Sequence, residues 1–261
     1  MNGDRRPFGA LRSGSVALVG AGPGAPDLLT RRAAQRLAEA DLVLYDALVD
    51  PAALALAPSA RRVFVGRRAG HPAVRQAFIN RLMIRAARRG RKVVRLKGGD
   101  PFVLGRGGEE GLALAAAGVP FEVVPGVSAA TAAATLNGIP VTHRGISSAF
   151  VVVSGHAADA YRPILDSLAP HSATIVVLMG LGRLEDVAAL LVGRGWDPRT
   201  PLAALLGAST AESAVRITTL GEPDAAGLGR RRAPGTLVIG EVVRLRAALV
   251  STGLAPAKAA G

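Results

Sequence analysis

Short apolar runs recur along the first half of the chain, each spaced from the next by enough residues for a helix. Val16–Val19, Leu42–Tyr45, Arg62–Val65, Val93–Leu96 and Phe121–Val124 read as five strands. Their apolar positions are nearly continuous instead of alternating, the pattern of strands buried on both faces of a parallel sheet. Between them, Leu28–Ala38 reads as a helix, and Ile79, Leu82, Met83 and Ala86 follow a helical spacing with Arg81, Arg85, Arg88 and Arg89 mostly off that face. Glu109–Ala117 reads as a further helix, stopped by Gly118.

The character changes near residue 146. Ala149–Val153, Thr174–Leu178, Pro201–Leu206, Val215–Leu220 and Thr236–Ile239 read as strands, with a helix at Leu184–Leu191. Fewer helices separate these strands, so a mixed sheet is expected. The predicted fold class is α/β with two domains: residues 14–144 around a largely parallel sheet, and residues 145–249 around a mixed one, followed by an alanine-rich tail.

Glycine loops sit at the predicted strand ends. Gly20-Ala21-Gly22-Pro23-Gly24 follows the first strand, and Asp46 ends the second. The sixteen residues Arg95–Glu110 hold five glycines, Pro101 and three carboxylates. Gly-Gly-Asp-Pro is ordinary turn chemistry, but repeated glycine loops also let a main chain approach a ligand closely. In parallel sheets such ligands lie beyond the carboxyl ends of the strands. The first loop imitates a dinucleotide fingerprint, with Asp46 placed as a ribose-binding acid, yet Pro23 occupies the turn and Ala25 stands at the third glycine. A nicotinamide or flavin enzyme is therefore a minor alternative.

Composition narrows the chemistry. The chain has 261 residues and is 49% hydrophobic, enough for substantial cores, and no apolar run approaches the length of a membrane span. No signal segment is read at the N-terminus, so a cytoplasmic protein is expected. Cysteine is absent, which excludes disulfides and thiolate chemistry. His71, His143, His156 and His171 show no metal-ligand spacing, and no metal is expected. The formal charge is +13, and only Lys92, Lys97 and Lys258 among the 32 basic residues are lysine, leaving 29 arginines. Arginine is the better bidentate partner for carboxylates. A polyanionic partner is therefore expected, either nucleic acid or a small molecule with several carboxylates; one Trp, two Tyr and six Phe leave few stacking platforms for single strands, and charge alone does not choose between the two.

Beyond these readings, the chain resembles the tetrapyrrole (corrin/porphyrin) methylases. The residues that carry the resemblance are Val19–Gly24, Leu28–Thr30, Ala40–Asp46, Val65–Gly70, Arg95–Glu110, Val124–Ala129, Gly138–Arg144, Ser154–His156 and Met179-Gly180, running in order from about residue 15 to 248. The resemblance implies a two-domain α/β homodimer that binds S-adenosylmethionine in a cleft between domains and releases S-adenosylhomocysteine. It implies C-methylation of uroporphyrinogen III at two pyrrole carbons, giving precorrin-2 for sirohaem or cobalamin synthesis. Carried over position by position, the donor would contact Pro23, Gly98, Gly99, Asp100, Val103, Ser128, Ala129, Met179 and Ala208. The glycine pair would offer its amides to the donor and Asp100 its carboxylate. Ser128 also suits a simple helix N-cap, and Met179 core packing.

Asp46 matches the family's proton acceptor, with ribose binding or capping of the Pro51 region as its other readings. Arg67 stands where the family's reported proton donor is a lysine. A guanidinium stays protonated, so Arg67 is expected to anchor a substrate carboxylate instead. Arg68, Arg106, His143, Arg144 and His156 are further substrate-facing candidates. The chain departs from the family pattern at Ala25, within His71–Asn80 (which keeps Gln76, Ile79 and Asn80) and at Gly207-Ala208-Ser209. These departures keep in view a methylase of a later precorrin, and the +13 charge keeps in view an RNA methyltransferase of the same fold.

Overall fold

The structure is a computed structural model that describes residues 9–66, 75–224 and 235–252. Its contacts divide the chain after Ser128 into two units.

The first unit alternates strands and helices: β1 (Val16–Gly20), α1 (Arg31–Ala38), β2 (Leu42–Tyr45), α2 (Pro51–Ala55), β3 (Arg61–Phe64), α3 (Gln76–Arg88), β4 (Val93–Lys97), α4 (Gly107–Ala116) and β5 (Phe121–Val124). Local chemistry sets the helix starts. The Thr30 hydroxyl accepts the Ala33 N–H at 3.2 Å to open α1, and Asp50 accepts the Ala52 N–H at 2.7 Å ahead of Pro51 to open α2. The five strands lie in the order β3-β2-β4-β1-β5, and every pairing is parallel. From β1 the chain winds to β2 and β3 on one side, returns to β4, then passes to β5 on the other. The C-terminal end of β1 is thus the point where the winding reverses.

Strand alternation sorts the core into two layers. Ala17, Val19, Val43, Val94 and Leu96 pack with Ala33, Leu37, Ala53 and Leu54 of α1 and α2. Val16, Leu18, Leu42, Leu44 and Val93 pack with Ile79 and Met83 of α3 and Leu114 of α4. Because side chains alternate along β4, Arg95 and Lys97 share the second face with Val93. Both are buried there.

The second unit comprises α5 (Ala129–Leu136), β6 (Phe150–Ser154), α6 (Ala158–Ser167), β7 (Thr174–Leu178), α7 (Leu184–Gly193), β8 (Pro201–Leu206), β9 (Ala214–Thr219), β10 (Gly235–Ile239) and α8 (Leu245–Ser251). Its strand order is β6-β7-β10-β8-β9. β6 and β7 run parallel, and the other three pairings are antiparallel, so this sheet is mixed. One face packs Tyr161, Leu165, Leu184, Val187, Leu191 and Trp196 over Ile175, Val177 and Leu237. The other face is covered by Ala133 and Ala134 of α5 against Ala203, Leu205 and Val238. This packing explains why the division falls after Ser128 and not at the 144/145 boundary expected from composition. Helix α5 supplies the second sheet's missing layer, and an alanine-rich helix gives no sign in the sequence of which sheet it covers.

Candidate active site

At the carboxyl rim of the first sheet, the loops after β1, β4 and β5 press together through bare backbone. A Cβ placed on Gly126 would lie 2.2 Å from the Gly99 carbonyl oxygen and 2.7 Å from the Gly20 Cα. One placed on Gly20 would lie 2.5 Å from the Gly126 Cα. No other residue fits either position without moving main chain. Gly22 and Gly99 then exchange hydrogen bonds, the Gly99 N–H donating to the Gly22 carbonyl at 2.7 Å and the Gly22 N–H to the Gly99 carbonyl at 3.2 Å. Asp100 completes the junction: one carboxylate oxygen accepts the Phe102 N–H at 2.8 Å, the other the Gly126 N–H at 3.1 Å.

These bonds give the long motif a structural role. The Gly99 amide and one Asp100 oxygen tie the loops to one another, while the other Asp100 oxygen closes the turn within its own loop. The turn reading of Gly-Gly-Asp-Pro and its place at the strand ends are both correct, for one reason: the turn is what lets the loops meet. Gly98 lies against Leu48, its added Cβ 3.0 Å from the Leu48 Cβ. Pro23 is half-buried in the first loop, and Ser128 is half-buried immediately before α5.

Beside this junction the rim exposes apolar side chains. Leu48 after β2, Phe102, Val103 and Leu104 after β4, and Val127 after β5 are exposed, Phe102 to 60%. Of this group the sequence reading had singled out only Val103. Leu104 and Arg106 also hold left-handed backbone at φ 52° and 61°, a conformation that costs a non-glycine residue of the order of 1–2 kcal/mol. Strain of this kind gathers at functional loops.

Below the rim lies a buried ionic cluster. Parity carries Asp46 to the face of Leu42 and Leu44, where Arg95 Nη2 donates to its Oδ1 at 2.6 Å. The Asp46 side chain remains 28% exposed, while Arg95 is 3% exposed. Arg95 Nε donates to Glu110 Oε1 at 2.9 Å, and Lys97 Nζ lies 3.0 Å from Glu110 Oε2. Gln76 of α3 donates to Glu110 Oε1 at 3.0 Å. Two cations and two carboxylates thus balance. Burial, then the neighbouring Arg95, pulls the Lys97 ammonium below the usual lysine range, against the opposing pull of Glu110 and Asp46. The capping role considered for Asp46 is filled by Asp50. Arg95, Lys97 and Glu110 stood inside the quoted motif without a role, and the alternation along β4 was the available signal.

The remaining candidates fall as follows. Arg67 and Arg68 lie outside the described residues. Arg106 is exposed and pairs with Glu109, Nη2 to Oε2 at 2.7 Å, which holds the Glu109 carboxyl below its usual range. His143, Arg144 and His156 are exposed, and the His143 Nδ1 lies 2.8 Å from the Arg144 carbonyl oxygen. In the second sheet, β6, β7 and β8 run in one direction, since two antiparallel steps separate β7 from β8. His156, Met179 and Ala208 therefore follow co-directed strand ends. Gly155 packs on Gly180, where an added Cβ would lie 2.6 Å from its Cα. Met179 is 50% exposed in left-handed backbone at φ 58°, which removes the core-filling reading. Ala208 is buried, between Gly207 and Ser209 at φ 51° and 66°. Ala129 opens α5. Among the described residues, no group of three or more His, Asp or Glu could hold a metal ion. None of their helices is long and apolar enough to cross a membrane.

Comparison with known proteins decides the family. The model of the Tetrapyrrole (Corrin/Porphyrin) Methylases matches residues 15–224. The chain belongs to this family. It is 47% identical over 233 residues to a uroporphyrinogen-III C-methyltransferase of Pseudomonas aeruginosa, covering 89% of this chain and 95% of that one. It is 47% identical over 237 residues to a siroheme synthase of Azotobacter vinelandii, covering 89% of this chain and 51% of the relative. The chain thus spans about half the length of the siroheme synthases it matches. A solved uroporphyrin-III C-methyl transferase from Thermus thermophilus, complexed with S-adenyl homocysteine, superposes with a TM-score of 0.74 at 45% identity, over 88% of this chain and 99% of that one.

Two stability measurements check this geometry. Gly126→Ala forces a Cβ onto backbone and is expected to cost about 1–3 kcal/mol in urea unfolding, whereas Gly193→Ala at the end of α7, where an added Cβ meets nothing within 4 Å, should cost nothing. Glu110→Ala strands the buried Lys97 cation and removes one partner of Arg95, and is expected to cost about 3–5 kcal/mol. Asp186→Ala, which breaks an exposed pair with Arg183, should cost less than about 1 kcal/mol.

Proposed function

We propose that this methylase transfers methyl groups from S-adenosylmethionine to two pyrrole carbons of uroporphyrinogen III, giving precorrin-2. The observation that carries the reading is the Asp46 carboxylate, anchored through one oxygen and part-exposed just beyond the C-terminal end of β2. Family membership, and 47% identity to a relative named for this activity, support the choice of substrate.

The residues suit the donor by shape. Gly20 and Gly126 let the three loops close on one another, and the donor is proposed to lie against the rim they form. Pro23, Gly98, Gly99, Asp100, Val103 and Ser128 are proposed donor contacts, with Ala129, Met179 and Ala208 of the second unit on the same family pattern. When bound, S-adenosylmethionine supplies an electrophilic methyl on a sulfonium and leaves as S-adenosylhomocysteine. This chain's task is alignment, worth several kcal/mol when reacting atoms are held in line. Leu48, Phe102, Val103, Leu104 and Val127 offer apolar surface to the face of a macrocycle. Arg67, Arg68, Arg106, Arg144, His143 and His156 are proposed to meet its carboxylates. Arg106 can exchange Glu109 for a substrate carboxylate at little cost, because an exposed pair is weak. Asp46 takes up, at Oδ2, the proton that the methylated ring must lose. The homodimer, the cytoplasmic setting and the onward route to sirohaem or cobalamin rest on the family resemblance.

Anaerobic incubation with S-adenosylmethionine and uroporphyrinogen III, followed by mass spectrometry, should show two added methyl groups. An unmethylated tetrapyrrole from protein that binds S-adenosylhomocysteine would sink the substrate assignment. Arg67 supplies a second check. If it anchors a carboxylate, Arg67→Lys keeps the charge and turnover stays within roughly tenfold of the parent, on the lower side. A lysine variant far more active than the parent would show that an acid is missing at this position.

A further inference from the structure

Glu110 is wholly buried, yet nothing in the proposed chemistry uses it. It sits in the first turn of α4 and accepts hydrogen bonds from Arg95 Nε at 2.9 Å and Gln76 Nε2 at 3.0 Å, with Lys97 Nζ paired to its other oxygen at 3.0 Å. Arg95 in turn places Nη1 3.4 Å from the Leu44 carbonyl oxygen and 3.2 Å from that of Leu96. A guanidinium is a rigid planar fork. Once Nε is held by Glu110 and Nη1 by the two carbonyls, the direction of Nη2 is determined, and Nη2 is the group that meets Asp46 at 2.6 Å.

Stability is a weak reason for such a cluster. Buried ion pairs often do no better than apolar residues of the same volume, because desolvation cancels the attraction. What the cluster does supply is direction: the chain from Glu110 through Arg95 ends on one oxygen of a part-exposed carboxylate. We infer that Glu110 is a positioning residue which, acting through Arg95, sets the orientation of the Asp46 carboxylate for methyl transfer. This rests on the proposed role of Asp46 as proton acceptor.

The test removes Glu110 and Lys97 together, so that no buried charge is left alone. Glu110→Leu/Lys97→Met and Glu110→Gln/Lys97→Met carry the same charge and differ in whether Arg95 Nε keeps an acceptor. Turnover of uroporphyrinogen III is measured anaerobically, and S-adenosylhomocysteine affinity by calorimetry. The leucine form is expected to lose about tenfold or more in kcat, the lower range for a general base put out of place. Its affinity for S-adenosylhomocysteine should stay within about twofold of the parent. The glutamine form should recover roughly a third or more of the parent kcat. In an Asp46→Asn background the gap between the two forms should close to about twofold or less, because an effect exerted through Asp46 disappears with it.

Equal turnover in the leucine and glutamine forms would overturn the inference, as would a gap that persists in the Asp46→Asn background. Should the leucine form fail to fold, a folded glutamine form below about a tenth of the parent kcat overturns it alone. An Asp46→Asn variant that turns over like the parent is a different failure. It removes the proposed role of Asp46, and the positioning role with it.

Discussion

Three strand ends approach so closely at the rim of the first sheet that only glycine fits where they touch. Gly20, Gly99 and Gly126 bring β1, β4 and β5 into backbone contact just beyond the sheet. The paired bonds between Gly22 and Gly99, and the Asp100 carboxylate that ties Gly126 to Phe102, depend on that approach. So does the apolar shelf of Phe102, Val103, Leu104 and Val127, whose loops are held by the junction. The sheet supplies the geometry: β1 lies between β4 and β5, where the winding reverses, so loops from both of its neighbours can reach across it.

Electrostatics adds the second constraint. Arg95 and Lys97 are placed on the α3/α4 face by the same alternation that packs Val93 there. Glu110 meets them from the start of α4, and Asp46 from the end of β2. The cluster thereby links the strand that begins the long motif to the helix that ends it. The glycine loop between them is fastened at both ends, and the one part-exposed member is the carboxylate to which the chemistry is assigned. A site built this way combines a preorganised backbone with a single oriented acid.

Much of this was legible in the residues, and the exceptions have physical causes. The strands of both sheets could be read because parallel and central strands are continuous apolar runs, as Val16–Val19 and Thr174–Leu178 show. The glycine loops could be placed at strand ends for the same reason. The bonds that Asp100 and Gly99 make could not, since they join loops that the strand order, not the chain order, brings together. The Arg95–Asp46 contact spans 49 residues and needs β4 to insert between β1 and β2. Helix α5 packs on the second sheet, which the sequence does not show because the alanine-rich Ala129–Leu136 has too little amphipathic contrast to reveal its partner. The core reading of Met179 is excluded by its exposure and its left-handed backbone, neither of which a strand-end position in the sequence reveals.

The most direct measurement is a calorimetric titration of S-adenosylhomocysteine into the parent protein and into folded Gly126→Ala. A rim shaped by backbone contact predicts saturable heat at about one site per chain for the parent, and an affinity at least about tenfold weaker once a methyl group wedges the loops apart. A parent that gives no heat, or a folded variant that binds as the parent does, would contradict it.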